Sequence, residues 1–95
     1  MATIAGLVHL RLHVHQANSL KDKRRIVKSF KTRLSNAFNV SVAEVDGLDS
    51  HRTVVLAVAM VGNDKRYVEG SLQRIVNVAA DERDMVLADH EIAWL

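Results

Sequence analysis

The chain of 95 residues contains no cysteine and no proline. Without cysteine it can form no disulfide, no thiolate nucleophile and no zinc site with sulfur ligands. No apolar run approaches the roughly 18 residues that a membrane-spanning helix requires, and the first residues lack the pattern of a signal peptide. We therefore expect one cytoplasmic domain spanning residues 1–95, because a chain of this length has room for only one hydrophobic core.

The sequence also lacks the short motifs that accompany common catalytic sites. It has no P-loop, no glycine-rich dinucleotide loop and no nucleophile elbow. Its serines occur in caps, helices or strands, which account for them without a chemical role. We therefore expect no enzyme activity, no catalytic residues and no cofactor.

The sequence does contain a clear succession of periodic segments. Alternating and β-branched apolar residues predict strands over residues 4–15, 40–46, 52–62 and 84–95. Apolar residues at spacings of three and four predict two amphipathic helices. The first helix follows a Ser19 cap and ends near Asn39, and the second follows Asn63 or Asp64. The order is β-α-β-β-α-β.

Two right-handed β-α-β crossovers joined by a hairpin favour one arrangement of these elements. It is the α+β, ferredoxin-like sandwich, with a four-stranded antiparallel sheet in the order 4-1-3-2 and two helices on one face. The other face of the sheet is left uncovered. RNA-recognition motifs of this fold stack bases on aromatic residues of that face, but this chain has only four aromatics, and base stacking there is not expected.

The first helix carries a strong local charge. Residues 16–39 hold seven Lys or Arg against a single acid, whereas residues 63–95 are net negative. Clustered bases without interleaved acids repel one another, and an anionic partner relieves that repulsion. We predict a nucleic-acid or ribosomal contact through six residues: Lys21, Lys23, Arg24, Arg25, Lys28 and Lys31. A solvated face and a small phosphate ligand are the alternatives.

The first strand carries a row of basic side chains opposite its apolar residues: His9, Arg11, His13 and His15. Neighbouring imidazoles on a strand can share a metal, and His13 with His15 is the better pair, with Asp89 or Glu91 as an oxygen donor. Arg11, however, places a fixed positive charge beside His9 and His13. We expect no metal, and interpret the row as a polar face that pairs with acids of the fourth strand.

The third strand is apolar on both sides, although only one side can meet the helices. The larger residues Val54, Leu56, Val58 and Met60 should face the helices, which leaves smaller ones outside. Exposed contiguous apolar surface usually marks an interface, and a two-fold dimer is the commonest closed solution. The predicted dimer interface contains His9, Arg11, His13, Val55, Ala57 and Ala59.

The segments SLKDKRR and FNVSVAEVD, together with the later GND, resemble the YlxP-like family of small bacterial proteins, a domain of unknown function. The likeness extends over nearly the whole chain. It implies a ferredoxin-like fold and a cytoplasmic bacterial protein. Members are often encoded beside transcription-elongation, translation-initiation and ribosome-maturation factors, which implies a role near RNA or the ribosome. The family supplies no catalytic residues to transfer.

The sequence therefore predicts a non-enzymatic module that binds RNA or a ribosome-associated partner through the basic first helix. The alternative is a homodimeric assembly module, or a small-ligand regulatory module, that uses the open sheet face. Fold alone does not choose between them.

Overall fold

The computed structural model describes all 95 residues. The elements are β1 (Ile4–His13), α1 (Leu20–Ala37), β2 (Ser41–Asp46), β3 (Thr53–Gly62), α2 (Lys65–Ala80) and β4 (Val86–Trp94). The strands form a single sheet in the order β2-β3-β1-β4, and every neighbouring pair is antiparallel. The predicted α+β sandwich and its strand order are confirmed.

Both helices pack on one face of the sheet, and the core lies between them and the sheet. The core is a cluster of 19 buried apolar residues drawn from the strands, the helices and the segments that connect them. The predicted inward set of β3, Val54, Leu56, Val58 and Met60, is buried in this cluster. The four side chains alternate along the strand, so the opposite set of β3 lies on the outer, helix-free face.

Polar side chains cap the amino termini of both helices and determine where the helices begin. The Ser19 hydroxyl oxygen accepts a hydrogen bond from the Asp22 amide at 3.1 Å, and Asp64 does the same for the Arg66 amide at 3.2 Å. The predicted Ser19 cap is therefore confirmed, and Asp64 rather than Asn63 caps α2.

Six predicted boundaries were wrong by one or two residues. Strand β2 begins at Ser41 rather than at residue 40, β3 begins at Thr53 rather than at residue 52, and β4 spans Val86–Trp94 rather than residues 84–95. The first strand ends at His13, because the chain turns at His15 and Gln16 and the Ala17 amide donates to the Val14 carbonyl. Helix α1 ends at Ala37 rather than near Asn39, because Phe38 adopts extended backbone and packs its ring against the core.

The hairpin between β2 and β3 depends on Gly47, which has a φ of +76°. A Cβ atom at this position would lie 2.6 Å from the Thr53 carbonyl oxygen. An L side chain here is therefore both strained and too close to the backbone.

Gly47→Ala should lower the free energy of unfolding by about 1–3 kcal/mol, because it adds backbone strain and a steric clash. The matched control is Gly70→Ala in the exposed interior of α2, where a Cβ meets no atom within 4 Å. That change should raise stability by roughly 0.5–1 kcal/mol, since alanine favours a helix. Urea unfolding followed by circular dichroism measures both, and equal effects would contradict the interpretation of the hairpin.

Candidate nucleic-acid interface on α1

Helix α1 presents a band of basic side chains on the flank that faces away from α2. We call the set the basic band; it consists of Lys21, Arg24, Arg25, Lys28 and Lys31. All but Lys31 are exposed. The chain contains two ion pairs, Lys31–Glu44 and Arg33–Glu82. The four exposed members of the band thus have no acidic partner, and their mutual repulsion is relieved only by ions or a ligand.

A groove lies between the basic band and the edge strand β2. Its volume is about 510 Å³, and its charged lining residues are Arg24, Lys28, Lys31 and Glu44. Thr32, Ser35 and Asn36 line the same groove and add hydroxyl and amide groups, which donate hydrogen bonds to phosphate oxygens in nucleic-acid complexes. The groove therefore combines positive charge with neutral donors along one side of α1.

Glu44 is the one acid in this groove. Its carboxylate accepts a hydrogen bond from the Lys31 ammonium at 3.2 Å, and both side chains are partly buried. This pair attaches the middle of α1 to β2. It also removes Lys31 from the set of unpaired charges, so Lys31 contributes less to an anion site than the sequence alone indicates.

Sequence reasoning missed Glu44 and the three neutral residues of the groove. Thr32, Ser35 and Asn36 follow Lys28 and Lys31 at helical spacing, so a helical wheel could have placed them on the same flank. Glu44 lies on the helix-facing side of β2, and only the packing of α1 beside β2 reveals its contact with Lys31.

The sequence predicts that Lys23 contacts nucleic acid, and the structure shows that this prediction is wrong. Its side chain is almost completely buried, with 1% relative exposure. Its ammonium donates to the carbonyl oxygens of Gly47 at 2.6 Å and Ser50 at 2.7 Å. Both acceptors lie in the β2–β3 hairpin, so Lys23 attaches the first turn of α1 to that hairpin and faces no solvent-borne ligand.

The environment of Lys23 disfavours its charged form. Burial, which removes water from the ammonium, lowers the pKa of Lys23 below its usual value, and the negative charge of Glu44 acts in the opposite direction. The two carbonyl acceptors satisfy the buried group, and no buried side-chain nitrogen or oxygen in the chain lacks a partner.

Lys23→Met should lower the free energy of unfolding by about 1–3 kcal/mol, because the hairpin carbonyls lose their donor. A lowered folded-state pKa means that the unfolded chain binds more protons, so stability from Lys23 grows with pH. The difference between the native protein and the variant should therefore widen as pH rises toward 10.5, the ordinary lysine value. Urea unfolding at a series of pH values measures this difference.

Lys21→Met is the control, since Lys21 is exposed on the same turn of α1. We expect it to change stability by no more than about 0.5 kcal/mol at any pH. A Lys23 variant as stable as the Lys21 variant would contradict the structural role of Lys23.

The amino terminus of α1 is partly occupied by its own side chains. The Ser19 hydroxyl occupies the Asp22 amide, and the Asp22 carboxylate accepts from the Asn18 amide at 3.3 Å. Asp22 also places a negative charge beside the helix start. The negative charge of Asp22 weakens the attraction of the helix terminus for anions, so the basic band supplies the larger part of that attraction.

The predicted basic row of β1 lies on the outer, helix-free face of the sheet. His9 is paired in register with Glu91, and Arg11 with Asp89. Arg11 and His13 are exposed, His9 is half-buried, and His15 lies beyond the strand. No group of three or more His, Cys, Asp or Glu side chains has a geometry suited to a metal ion.

The outer face is less apolar than the sequence indicates. Ala57 and Ala59 are half-buried, as small residues of a central strand are, but Val55 is only 8% exposed because neighbouring side chains cover it. Val55 forms the floor of a depression of about 360 Å³ bordered mainly by charged residues and histidines: His9, Arg11, Asp46, Asp89, His90 and Glu91. The expectation that Val55 adds exposed apolar surface is therefore wrong.

Comparison with known proteins places the chain in a family. Residues 5–92 match the family model described as "Protein of unknown function (DUF503)". The chain belongs to this family. It is 32% identical over 71 residues to the uncharacterized protein YlxP of Bacillus subtilis (strain 168), a match that covers 75% of this chain and 77% of that protein. The YlxP-like resemblance of the sequence is thereby confirmed.

Family membership agrees with the fold and leaves the activity to be inferred from the molecule itself. Neither helix is long and apolar enough to cross a membrane.

Proposed function

We propose that this protein is a non-enzymatic module that binds RNA, free or within the ribosome, through the sugar-phosphate backbone. The observation that carries the proposal is the basic band, four of whose members are exposed and unpaired on one flank of α1. Such clustering is the electrostatic footprint of nucleic-acid binding. The proposal places the protein in the cytoplasm, where RNA is available to it.

The positions of the aromatic residues favour contact with phosphates over contact with bases. Phe30 is buried, Phe38 is half-buried, and Lys65 lies over the ring of Trp94. Tyr67 is exposed, but it belongs to α2 and not to the groove. Stacking on aromatic side chains supplies much of the affinity for single strands. The groove offers none, which favours structured RNA held by its backbone.

Binding to a short, fluorescein-labelled RNA duplex should weaken steeply as salt rises, because each neutralised phosphate releases counterions. If the four unpaired bases each neutralise one phosphate, the log–log slope should be about −3 to −4, by analogy with duplex DNA. Fluorescence anisotropy between roughly 50 and 200 mM salt measures this slope. Absence of binding at the lowest salt would contradict the proposal.

Arg25→Glu combined with Lys28→Glu should reduce affinity for all RNA sequences alike and make the salt slope shallower by about two. The control is Arg66→Glu combined with Arg83→Glu, which changes the net charge equally at exposed sites outside α1. Equal losses in the two double variants would show that total charge, rather than the basic band, determines binding.

Glu44→Gln provides a variant that should gain affinity. It removes the carboxylate that pairs with Lys31 and leaves the size of the side chain unchanged. We expect RNA affinity to rise about two- to fivefold at low salt, the range that a partly exposed ion pair can contribute. The control Glu69→Gln, an exposed acid on α2, should have no such effect. A gain in RNA affinity cannot result from misfolding. If Glu44→Gln gives no gain in affinity, binding in the groove is contradicted.

The outer sheet face supports a second candidate role, in protein assembly or in regulation by a small ligand. The observation that favours it is that no helix covers this face, while Leu7, Ala57, Ala59 and Ala93 lie half-buried on it. This face and the basic band lie on different sides of the molecule, so the two roles are compatible.

A further inference from the structure

In the middle of the outer face of the sheet, the side chains of β2 and β3 are small and the large side chains belong to β1 and β4. The pairing registers arrange its residues in rows that run from β2 to β4. One row consists of Ser41, Ala59, Leu7 and Ala93; the next of Ala43, Ala57, His9 and Glu91; and the third of Asp46, Val55, Arg11 and Asp89. In the first two rows every residue of β2 and β3 is a serine or an alanine, and the large side chains belong to β1 and β4.

We propose that a second copy of this chain covers the outer face. The two copies are related by a two-fold axis that lies midway between their facing sheets, runs parallel to the strands and passes above the gap between β1 and β3. This axis places β1 over the partner's β3 and β4 over the partner's β2, with the rows at the same level. Leu7 then packs against the partner's Ala59, and His9 packs against the partner's Ala57. Large side chains thus fill the space above small ones, and the symmetry makes the fit reciprocal.

Charge supports the same arrangement in the third row. Arg11 makes no ion pair or side-chain hydrogen bond within its own chain, although Asp89 is its neighbour on β4. One carboxylate oxygen of Asp46 accepts from the Gly47 amide, and the other has no partner. In the proposed dimer the partner's Asp46 lies over Asp89, so Arg11 on the adjacent strand lies beside both carboxylates and offsets their repulsion. A planar guanidinium can donate to both carboxylates.

The size of the face requires that all of it takes part in the contact. The strands β1, β2, β3 and β4 have 10, 6, 10 and 9 residues, and at about 3.3 Å per residue and 4.8 Å between strands they span roughly 550 Å² before the relief of the side chains is counted. A standard stable interface buries roughly 800 Å² per partner. The half-buried aliphatic residues Leu7 and Ala93 and the exposed Val61 lie within this area or at its edge.

The first test is the mass in solution. Light scattering of the native chain at high micromolar concentration should give twice the chain mass of 10.6 kDa. Ala57→Glu should give a monomer with an unchanged circular dichroism spectrum, because it fills the space for the partner's His9 and adds a charge near the partner's Glu91. Asn77→Glu on the exposed side of α2 is the control and should remain a dimer. A native monomer, or a dimer that tolerates Ala57→Glu, would overturn the proposal.

The second test does not depend on a destabilising change. The chain has no cysteine, so a single introduced thiol is labelled specifically. In the proposed dimer the two residues 57 lie about 11 Å apart, given sheets that pack about 10 Å apart and strands about 4.8 Å apart. Ala57→Cys should therefore be joined to its copy by a short bis-maleimide, whereas Asn77→Cys should not. Equal cross-linking of the two variants, or none in either, would contradict the proposed axis.

Discussion

The attachment of α1 to the β2–β3 hairpin depends on one buried ammonium group. Lys23 donates to two carbonyls of the hairpin, and one of them belongs to Gly47, the residue with a positive φ. The Lys31–Glu44 pair, two helical turns further along, attaches the same helix to β2. These two contacts fix the flank of α1 that carries the basic band beside the edge of the sheet. The groove exists because both lysines hold the helix there, and the remaining bases can then lie free at its rim.

Charge is separated between the two sides of the molecule. On α1 four bases lack acidic partners, whereas the depression of the outer face contains three carboxylates, from Asp46, Asp89 and Glu91, against the single guanidinium of Arg11. A polyanion is therefore attracted to the helix side and repelled from the central depression of the sheet. This separation argues against RNA binding on the open sheet, independently of the lack of aromatic residues there.

The fold could be predicted from the sequence because its signals are local. Alternation in β1, the helical stripes and the Ser19 cap each involve residues a few positions apart, and they determine the element order. Apart from the ends of some elements, the errors concern contacts between distant segments. Lys23 projects near the apolar side of a helical wheel, but its acceptors lie 24 and 27 residues away, so the sequence gives no sign that they satisfy it. Glu44 beside Lys31 and the covered position of Val55 are tertiary effects of the same kind.

If the basic band binds RNA and the outer sheet face forms the dimer, the geometry of the dimer determines how RNA can be bound. The helices lie on one face of the sheet and the proposed dimer contact lies on the other, so a dimer has four layers with the sheets inside. Its two basic bands then face outward in opposite directions. A single straight or gently curved RNA duplex cannot contact both basic bands at once, because the two sheets lie between the bands. A dimer of this form therefore does not gain RNA affinity by binding one duplex through both basic bands. It can instead connect two separate RNA segments, which a monomer with one basic band cannot do.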